Sequence, residues 1–187
     1  VELGAVLGTL AKARCDKVTF ITSPDLSNLG AWLEQLIAES TGKEDKGIVP
    51  IHDEPFGEIV SYGDDRFFVY IRYTECADLT QDDKAEALKK AGYPVIQIDV
   101  ADLINLGQEF FRWEIATATA GSLMGINAFD QPNVQESKDY TRSYLENFTK
   151  NGQLPEEFPV IKDGDIRIFV DEANKQALEG VSTLEQI

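Results

Sequence analysis

The amino-acid sequence predicts an α/β fold with a mostly parallel sheet and a small β-hairpin excursion near the C-terminal end. Stretches rich in aromatic and β-branched residues alternate with stretches in which apolar residues recur every three or four positions. The clearest strand is residues 66–73, which read RFFVYIRY, and the clearest helix is residues 106–124. This alternation is typical of βαβ units, in which helices cover a parallel sheet.

The other elements of the α/β body follow from local signals. Gly42 ends a helical stripe that includes Trp32 and Leu36, and we expect it to close that helix in the left-handed conformation. Thr80 and Asp83 have the spacing of a capping box, which opens a helix. We predict helices at residues 3–14, between Asn28 and Gly42, and at 80–91, and strands at 17–21 and 94–98.

The composition changes after residue 150. Residues 160–168 alternate in polarity around Asp163-Gly164, a dipeptide that favours a tight turn between two strands. A helix start follows at residues 182–183. Because both ends of the sequence fall inside a predicted pattern, we expect a fragment of a longer protein. The predicted division is an α/β domain at residues 1–150 and a hairpin extension, with the truncated start of a further helix, at residues 151–187.

The charge and cysteine content argue against several classes of protein. The 187 residues include 33 acidic and 17 basic side chains, a formal net charge of −16, whereas a nucleic-acid partner needs clustered cations. No apolar run reaches the length of a membrane span. Cys15 and Cys76 are far apart, as expected of a reduced cytoplasmic protein rather than a disulfide scaffold. No histidine–cysteine spacing matches a metal site.

A lysine on an apolar helical face is the most unusual feature of the sequence. Pro132 fits the first turn of a helix, which Asp130 or Gln131 can cap. Lys138 lies in the first two turns, where the helix dipole disfavours a cation. It either faces inward for a functional reason or extends its stem over the core with its ammonium group in water. The face consists of Val134, Lys138, Thr141, Leu145 and Phe148.

Glu39 is the second candidate for chemistry. It ends the helix of Trp32 and Leu36, where a carboxylate opposes the helix dipole and its protonated form is favoured. A general base that works near neutral pH needs such an environment. The alternative is an exposed surface glutamate beside Lys43 and Lys46.

Two further titratable residues have plainer interpretations. Glu114 lies in the helix predicted to be buried, and we expect it to pair with Arg112 or Arg142 rather than to act in catalysis. His52, the only histidine, lies in a predicted loop near Asp53, where a structural or exposed role is expected. Ligands of parallel sheets bind beyond the carboxyl ends of the strands. The corresponding segments are residues 22–28, 72–78 and 99–103.

Two separated motifs give the sequence a resemblance to a known family. Residues 39–43 read ESTGK, and residues 129–131 read FDQ with Lys138 downstream. Within AWLEQLIAESTGKEDKGIVPI and WEIATATAGSLMGINAFDQPNVQESK, they resemble the second sugar-isomerase (SIS) domain of glucose-6-phosphate isomerases. In sequence, these two stretches are most similar to the isomerase part of bifunctional transaldolase/glucose-6-phosphate isomerases. The resemblance covers residues 3–148 and implies a SIS-type three-layer sandwich.

The resemblance implies interconversion of glucose 6-phosphate and fructose 6-phosphate without a metal or organic cofactor. It implies that Glu39 is the base that moves a proton between C2 and C1 through an enediol. Lys138 matches a lysine that acts near the ring oxygen during ring opening, and Gln131 matches a glutamine that contacts the sugar. The dipole-opposed positions of Glu39 and Lys138 agree with these roles.

The sequence also departs from the family pattern. Asn133-Val134-Gln135 stands where the family has Gly-Val-Glu, which changes the finer shape of the sugar site. No histidine matches the family's ring-opening histidine, and the family's phosphate-binding cluster belongs to a first SIS domain. We therefore expect a sugar phosphate substrate, the first SIS domain of the same protein as a partner, a homo-oligomer as one possible assembly, and little activity from this chain alone.

Two other functions stay open at this point. A non-catalytic SIS module would bind a sugar phosphate in a regulatory role, but the retention of Glu39 and Lys138 favours catalysis. An acidic interaction domain would use the α/β body as a scaffold. It would predict unchanged activity in Glu39→Gln and Lys138→Ala variants.

Overall fold

A four-stranded parallel sheet forms the centre of residues 1–133. The structure, a computed structural model, describes residues 1–186, apart from the side chain of Asn133. The strands run in the order β2-β1-β3-β4, and every neighbouring pair is parallel. This confirms the predicted α/β fold. The strands are β1 (Lys17–Thr22), β2 (Val49–Ile51), β3 (Arg66–Tyr73) and β4 (Val95–Val100).

Helices cover both faces of this sheet, so that the first unit has three layers. The helices are α1 (Glu2–Lys12), α2 (Ser27–Thr41), α3 (Leu79–Lys90) and α4 (Leu106–Met124). Phe67, Val69 and Ile71 of β3 pack in one apolar cluster with α1, α2 and α4. Phe68 and Tyr70 point to the other face and pack against α3. Successive residues of a strand face opposite sides, so a central strand covered on both faces must be apolar almost throughout.

Two helix ends differ from the prediction. Gly42 has φ −72° and ψ 74° rather than the left-handed conformation, and its N–H donates to the carbonyl of Ala38 at 2.9 Å. The N-cap of α3 is Asp78, whose carboxylate accepts from the N–H of Thr80 at 2.8 Å. The predicted capping box at Thr80 and Asp83 is therefore wrong, because the carboxylate of Asp78 already accepts the free N–H of Thr80 in the first turn.

The edge strand β2 was not predicted from the sequence. It is three residues long and contains Pro50, which has no N–H to donate to a ladder. In the structure Pro50 lies opposite Val18 of β1, on the outer strand of the sheet. An edge strand tolerates proline there because only one of its sides is paired.

The second unit comprises residues 134–187, and its structure is described to residue 186. The division from the first unit falls within α5 (Pro132–Asn151). An antiparallel hairpin of β5 (Ile161–Asp163) and β6 (Ile166–Ile168) follows, as predicted. A short helix, α6 (Glu172–Ala177), was not predicted.

The C-terminal predictions fall partly outside the described residues. The expected helix start at residues 182–183 corresponds to a 3-10 turn at Leu184–Gln186, and Ile187 lies outside the described residues. The predicted domain boundary at residue 150 stays a prediction. In residues 1–186, none of the helices is both long enough and apolar enough to cross a membrane.

The close contact between α1 and α4 depends on glycine. Gly4 and Gly8 of α1 lie directly against Ala116 and Ala120 of α4. A Cβ atom at Gly8 would lie 3.1 Å from the carbonyl oxygen of Ala120, and one at Gly4 would clash with that of Ala116. The two backbones can approach this closely only because both glycines lack a side chain.

Replacing Gly4 with alanine should therefore destabilise the first unit. The added Cβ would also lie 2.6 Å from the Cβ of Thr119, so α1 and α4 must separate. Overpacking of this kind costs about 1–3 kcal/mol in the free energy of unfolding. Urea unfolding followed by tryptophan fluorescence measures it, because Trp32 and Trp113 both lie in the first unit.

Gly107→Ala in α4 is the matched control. Apart from its chain neighbours and the backbone of its own helix, none of the described atoms lies within 4 Å of a Cβ built at Gly107, and alanine favours a helix by up to about 1 kcal/mol over glycine. Its unfolding free energy should stay the same or rise. Equal stability of the two variants would contradict the close packing of α1 on α4.

Candidate functional site

Glu39 lies in the last turn of α2, as predicted. The buried side chains of Leu33 and Ile37 fix this helix on the sheet. Glu39 itself is exposed, and its Oε1 accepts a hydrogen bond of 3.2 Å from Nε2 of Gln35, one turn earlier. An exposed carboxylate with a side-chain donor beside it is accessible to a ligand, although exposure is also what a surface glutamate would show.

The end of α2 is fixed by Thr41. Its side chain is buried, and its Oγ1 donates to the carbonyl of Ile37 at 2.7 Å. The same oxygen accepts from the N–H of Ile48 at 2.9 Å. One hydroxyl thus ties the turn that carries Glu39 to the segment that enters β2.

Lys43 joins the two motifs on which the resemblance rests. Its side chain is only 4% exposed, and its Nζ forms an ion pair of 2.9 Å with Oδ1 of Asp130. The same Nζ donates to the carbonyl of Asn127 at 2.7 Å and to the carbonyl of Asp130. Gln131, the predicted sugar-contacting residue, follows Asp130 directly and is exposed. The structure therefore brings the segment of Glu39 into contact with the segment of Gln131.

Little in the sequence indicates that Lys43 is buried or that it contacts residues 127–130. In the sequence Lys43 is a neighbour of Glu39 and the last residue of the ESTGK motif. It lies outside the periodic part of α2, so no hydrophobic pattern marks it as buried. Its position within the ESTGK motif was the one available indication.

The second motif begins where α4 reverses direction. Gly125 caps α4 in the left-handed conformation, with φ 70° and ψ 42°. The N–H of Ile126 donates to the carbonyl of Gly121 at 3.0 Å, and the side chain of Ile126 is buried. Oδ1 of Asn127 then accepts from the N–H of Phe129 at 3.0 Å. These local bonds shape the loop that leads to Gln131.

Lys138 lies in the second turn of α5, in the second unit. The helix is confirmed, but the prediction that its apolar face points inward is wrong for this chain. Lys138 and Thr141 are exposed, Leu145 is 62% exposed and Phe148 is 51% exposed. Three-and-four spacing identifies a common face, but it does not supply a surface for that face to pack against.

The buried acid of α4 is Glu109 rather than Glu114. Glu114 is exposed, whereas Glu109 is 3% exposed and its Oε1 lies 3.3 Å from Nη2 of Arg112. Burial raises the pKa of Glu109 above its usual value, and the charge of Arg112 acts in the opposite direction. The predicted pairing of Glu114 with Arg112 is wrong because residues two apart on a helix do not face each other.

His52 has structural contacts. Its ring lies against Gly30 of α2, where an added Cβ would clash with it. Its backbone N–H donates to Oε2 of Glu34 at 3.0 Å. Within residues 1–186, no group of three or more His, Cys, Asp or Glu side chains is arranged to hold a metal ion.

Polar groups at the carboxyl ends of β1 and β3 form hydrogen bonds within the protein. Oγ of the buried Ser23 accepts from the N–H of Tyr73 at 2.9 Å, which ties the end of β1 to the end of β3. Nε2 of Gln81 donates to the carbonyl of Thr22 at 2.9 Å. The site that joins the two motifs lies elsewhere, at the ends of α2 and α4.

Three known proteins with sequences similar to this chain are named as the same enzyme. The chain is 28% identical over 151 residues to glucose-6-phosphate isomerase of Lactobacillus helveticus and 29% identical over 167 residues to that of Rubrobacter xylanophilus. A probable glucose-6-phosphate isomerase of Methanococcus maripaludis is 29% identical over 151 residues. The chain is similar to glucose-6-phosphate isomerases. No family model matches it.

The similarity covers most of this chain but a minor part of the isomerases. The alignments span 62%, 70% and 64% of the chain, and 34%, 39% and 34% of the three relatives. The chain thus spans about a third of the length of the curated relatives it matches.

A solved structure supports the fold alone. A hypothetical protein from Thermus thermophilus has a TM-score of 0.61 at 21% identity, over 76% of this chain and 44% of that one.

Replacing Thr41 with valine should destabilise the first unit by about 1–3 kcal/mol in the free energy of unfolding. Valine keeps the shape but leaves the N–H of Ile48 without its acceptor. Urea unfolding with tryptophan fluorescence measures the change. Thr9→Val is the control, because Thr9 lies in a helix of the same unit, α1, and is exposed. We expect Thr9→Val to stay within about 0.5 kcal/mol of the wild type. Equal effects of the two substitutions would show that the Thr41–Ile48 bond does not fix the end of α2.

Proposed function

We propose that this chain is the second SIS domain of a glucose-6-phosphate isomerase and takes part in the interconversion of glucose 6-phosphate and fructose 6-phosphate. The similarity to proteins of that name supports an isomerase function. The observation that carries the proposal is the contact made by Lys43, which joins the segment of Glu39 to the segment of Gln131.

In this proposal Glu39 is the catalytic base. Its carboxylate removes the proton from C2 of the open-chain aldose, while the C1 carbonyl oxygen gains a proton, which gives an enediol. The carboxylic acid then returns a proton to C1, and the C2 hydroxyl loses its proton as the ketone forms. The exposure of Glu39 supports this role because the substrate must reach the carboxylate.

Two other residues complete the proposed contribution of this chain. Gln131 contacts the sugar through its side-chain amide, which can both donate and accept hydrogen bonds. Lys138 acts near the ring oxygen during ring opening, where an exposed ammonium group can donate a proton. The proposed mechanism uses no metal or organic cofactor.

The rest of the site is proposed to come from outside the chain. The sugar phosphate is bound with the help of the first SIS domain of the same protein, in the cytoplasm. The sequences of the two motifs suggest fusion to a transaldolase, which stays a prediction. The oligomeric state also stays a prediction. The length of the curated relatives, about three times the matched part, supports a contribution from further domains.

Replacing Glu39 with glutamine in the natural full-length protein should lower kcat by about 10²–10⁴-fold, because a general base contributes a factor of this size. A coupled assay of glucose 6-phosphate formation measures it. KM should change far less than kcat, because the substitution removes the base and leaves the groups that bind the sugar phosphate in place.

Glu44→Gln is the matched control for this substitution. Glu44 lies in the turn after α2, is exposed, and forms a long ion pair of 3.8 Å with Lys46. Its replacement removes the same charge nearby and should leave kcat within about twofold, since surface changes have small effects. Full turnover in Glu39→Gln would assign the base elsewhere. Binding of fructose 6-phosphate to the wild type without any turnover would favour the regulatory alternative.

The 187-residue chain alone should turn over at least about a hundredfold more slowly than the natural full-length protein. The physical reason is that groups that bind and orient the phosphate are proposed to lie in another domain. The same coupled assay compares the two proteins at equal molar concentration. Comparable turnover would mean that this chain holds a complete site.

A further inference from the structure

We propose that Lys43 is a positioning residue for the isomerase reaction, one that holds Gln131 at the sugar. The inference rests on the proposed function and adds to it a residue that has no role in the mechanism above. Lys43 acts through the loop of residues 127–131 and not by contact with the substrate.

The N–H donors of the Lys43 ammonium group all have acceptors inside the protein. It has three N–H donors, and three acceptors surround it: the carbonyl oxygens of Asn127 and Asp130, and the carboxylate of Asp130. Its side chain is only 4% exposed. A buried ammonium group that loses its partners is strongly unfavourable, so the three acceptors are held where the lysine needs them.

Most of the loop that Lys43 holds is exposed, although Ala128 is half-buried against Gly121 of α4. Phe129 is 84% exposed, and Gln131 is exposed as well. The bond between Asn127 and Phe129 shapes the loop internally but does not attach it to α2. The contacts of Lys43 attach the backbone directly before Gln131 to the segment that follows α2.

Lys43 is itself held at a fixed point. Its N–H donates to the carbonyl of Lys46 at 3.1 Å, and the N–H of Lys46 donates back at 2.9 Å. Glu44 and Asp45 between them both have positive φ, 54° and 56°, as in the tight turns of hairpins. This turn follows Thr41, whose hydroxyl is bonded to the core segment at Ile48. A continuous set of short contacts thus links the helix end that carries Glu39 to the residue before Gln131.

A purely stabilising role for Lys43 makes a different prediction from a positioning role. A stabilising residue affects folding, and its loss lowers activity independently of what Gln131 does. A residue that acts by placing Gln131 loses its effect once the Gln131 amide has been removed. The two roles therefore differ in the coupling between substitutions at residues 43 and 131.

The test is a double-mutant cycle in the natural full-length protein, with Lys43→Met, Gln131→Ala and the combined variant. We measure kcat and KM for fructose 6-phosphate by the coupled assay, and amide exchange of residues 127–131 by mass spectrometry. Lys43→Met should lower kcat/KM on the order of ten- to hundredfold, the size expected of a misplaced contact, and should accelerate exchange in the loop. The combined variant should be no more than about threefold worse than Gln131→Ala.

Lys46→Met is the matched control. Lys46 is in the same turn and its Nζ lies 3.4 Å from the carbonyl of Gly125, but its side chain is 44% exposed. Its replacement should leave kcat/KM within about twofold. If Lys43→Met does not fold, Asp130→Ala takes its place in the cycle, because it removes one of the three acceptors and leaves the two carbonyls.

Each outcome of the cycle decides a separate point. Multiplicative losses in the combined variant, or an unchanged kcat/KM in Lys43→Met at any rate of loop exchange, would overturn the positioning role and leave the isomerase function intact. A wild-type protein that does not interconvert the two sugar phosphates would overturn the proposed function, and the inference with it. Non-additive losses with an active wild type support both.

Discussion

The burial of β3 on both faces is the constraint on which the rest of the structure depends. Phe67, Phe68, Val69, Tyr70 and Ile71 are almost completely buried, and alternate members face opposite helical layers. Burying side chains of this size contributes roughly 1.5–3 kcal/mol each relative to exposure. Neither layer can be removed without exposing half of this strand to water. The three-layer arrangement therefore follows from the composition of one segment.

The parallel sheet then determines where the candidate site forms. Because β1 and β4 run in the same direction, the helices that follow them, α2 and α4, both return toward the amino ends of the strands. The segments after these helices consequently come close together, and Lys43 reaches the carbonyls of Asn127 and Asp130. Two motifs more than eighty residues apart in sequence meet for a topological reason.

Two lysines lie in contrasting environments. Lys138, for which the spacing leaves both an inward and a water-exposed position open, is exposed, whereas Lys43, which follows Glu39 in the ESTGK motif, is buried among three acceptors. A buried, fully bonded ammonium group suits the fixing of a loop, and an exposed one suits proton donation to a substrate. The proposed division of roles follows this difference in environment.

By itself, the sequence determined the α/β class, the full extent of β3 and α4, the hairpin around Gly164, and the helical positions of Glu39 and Lys138. These features depend on local periodicity and turn chemistry, which neighbouring residues carry. Tertiary structure alone decided the edge strand β2, the burial of Glu109 in place of Glu114, and the contacts of Lys43. Each of these depends on which distant group lies opposite a residue. The burial and partners of a polar side chain are set by that group and not by the residues beside it in the chain.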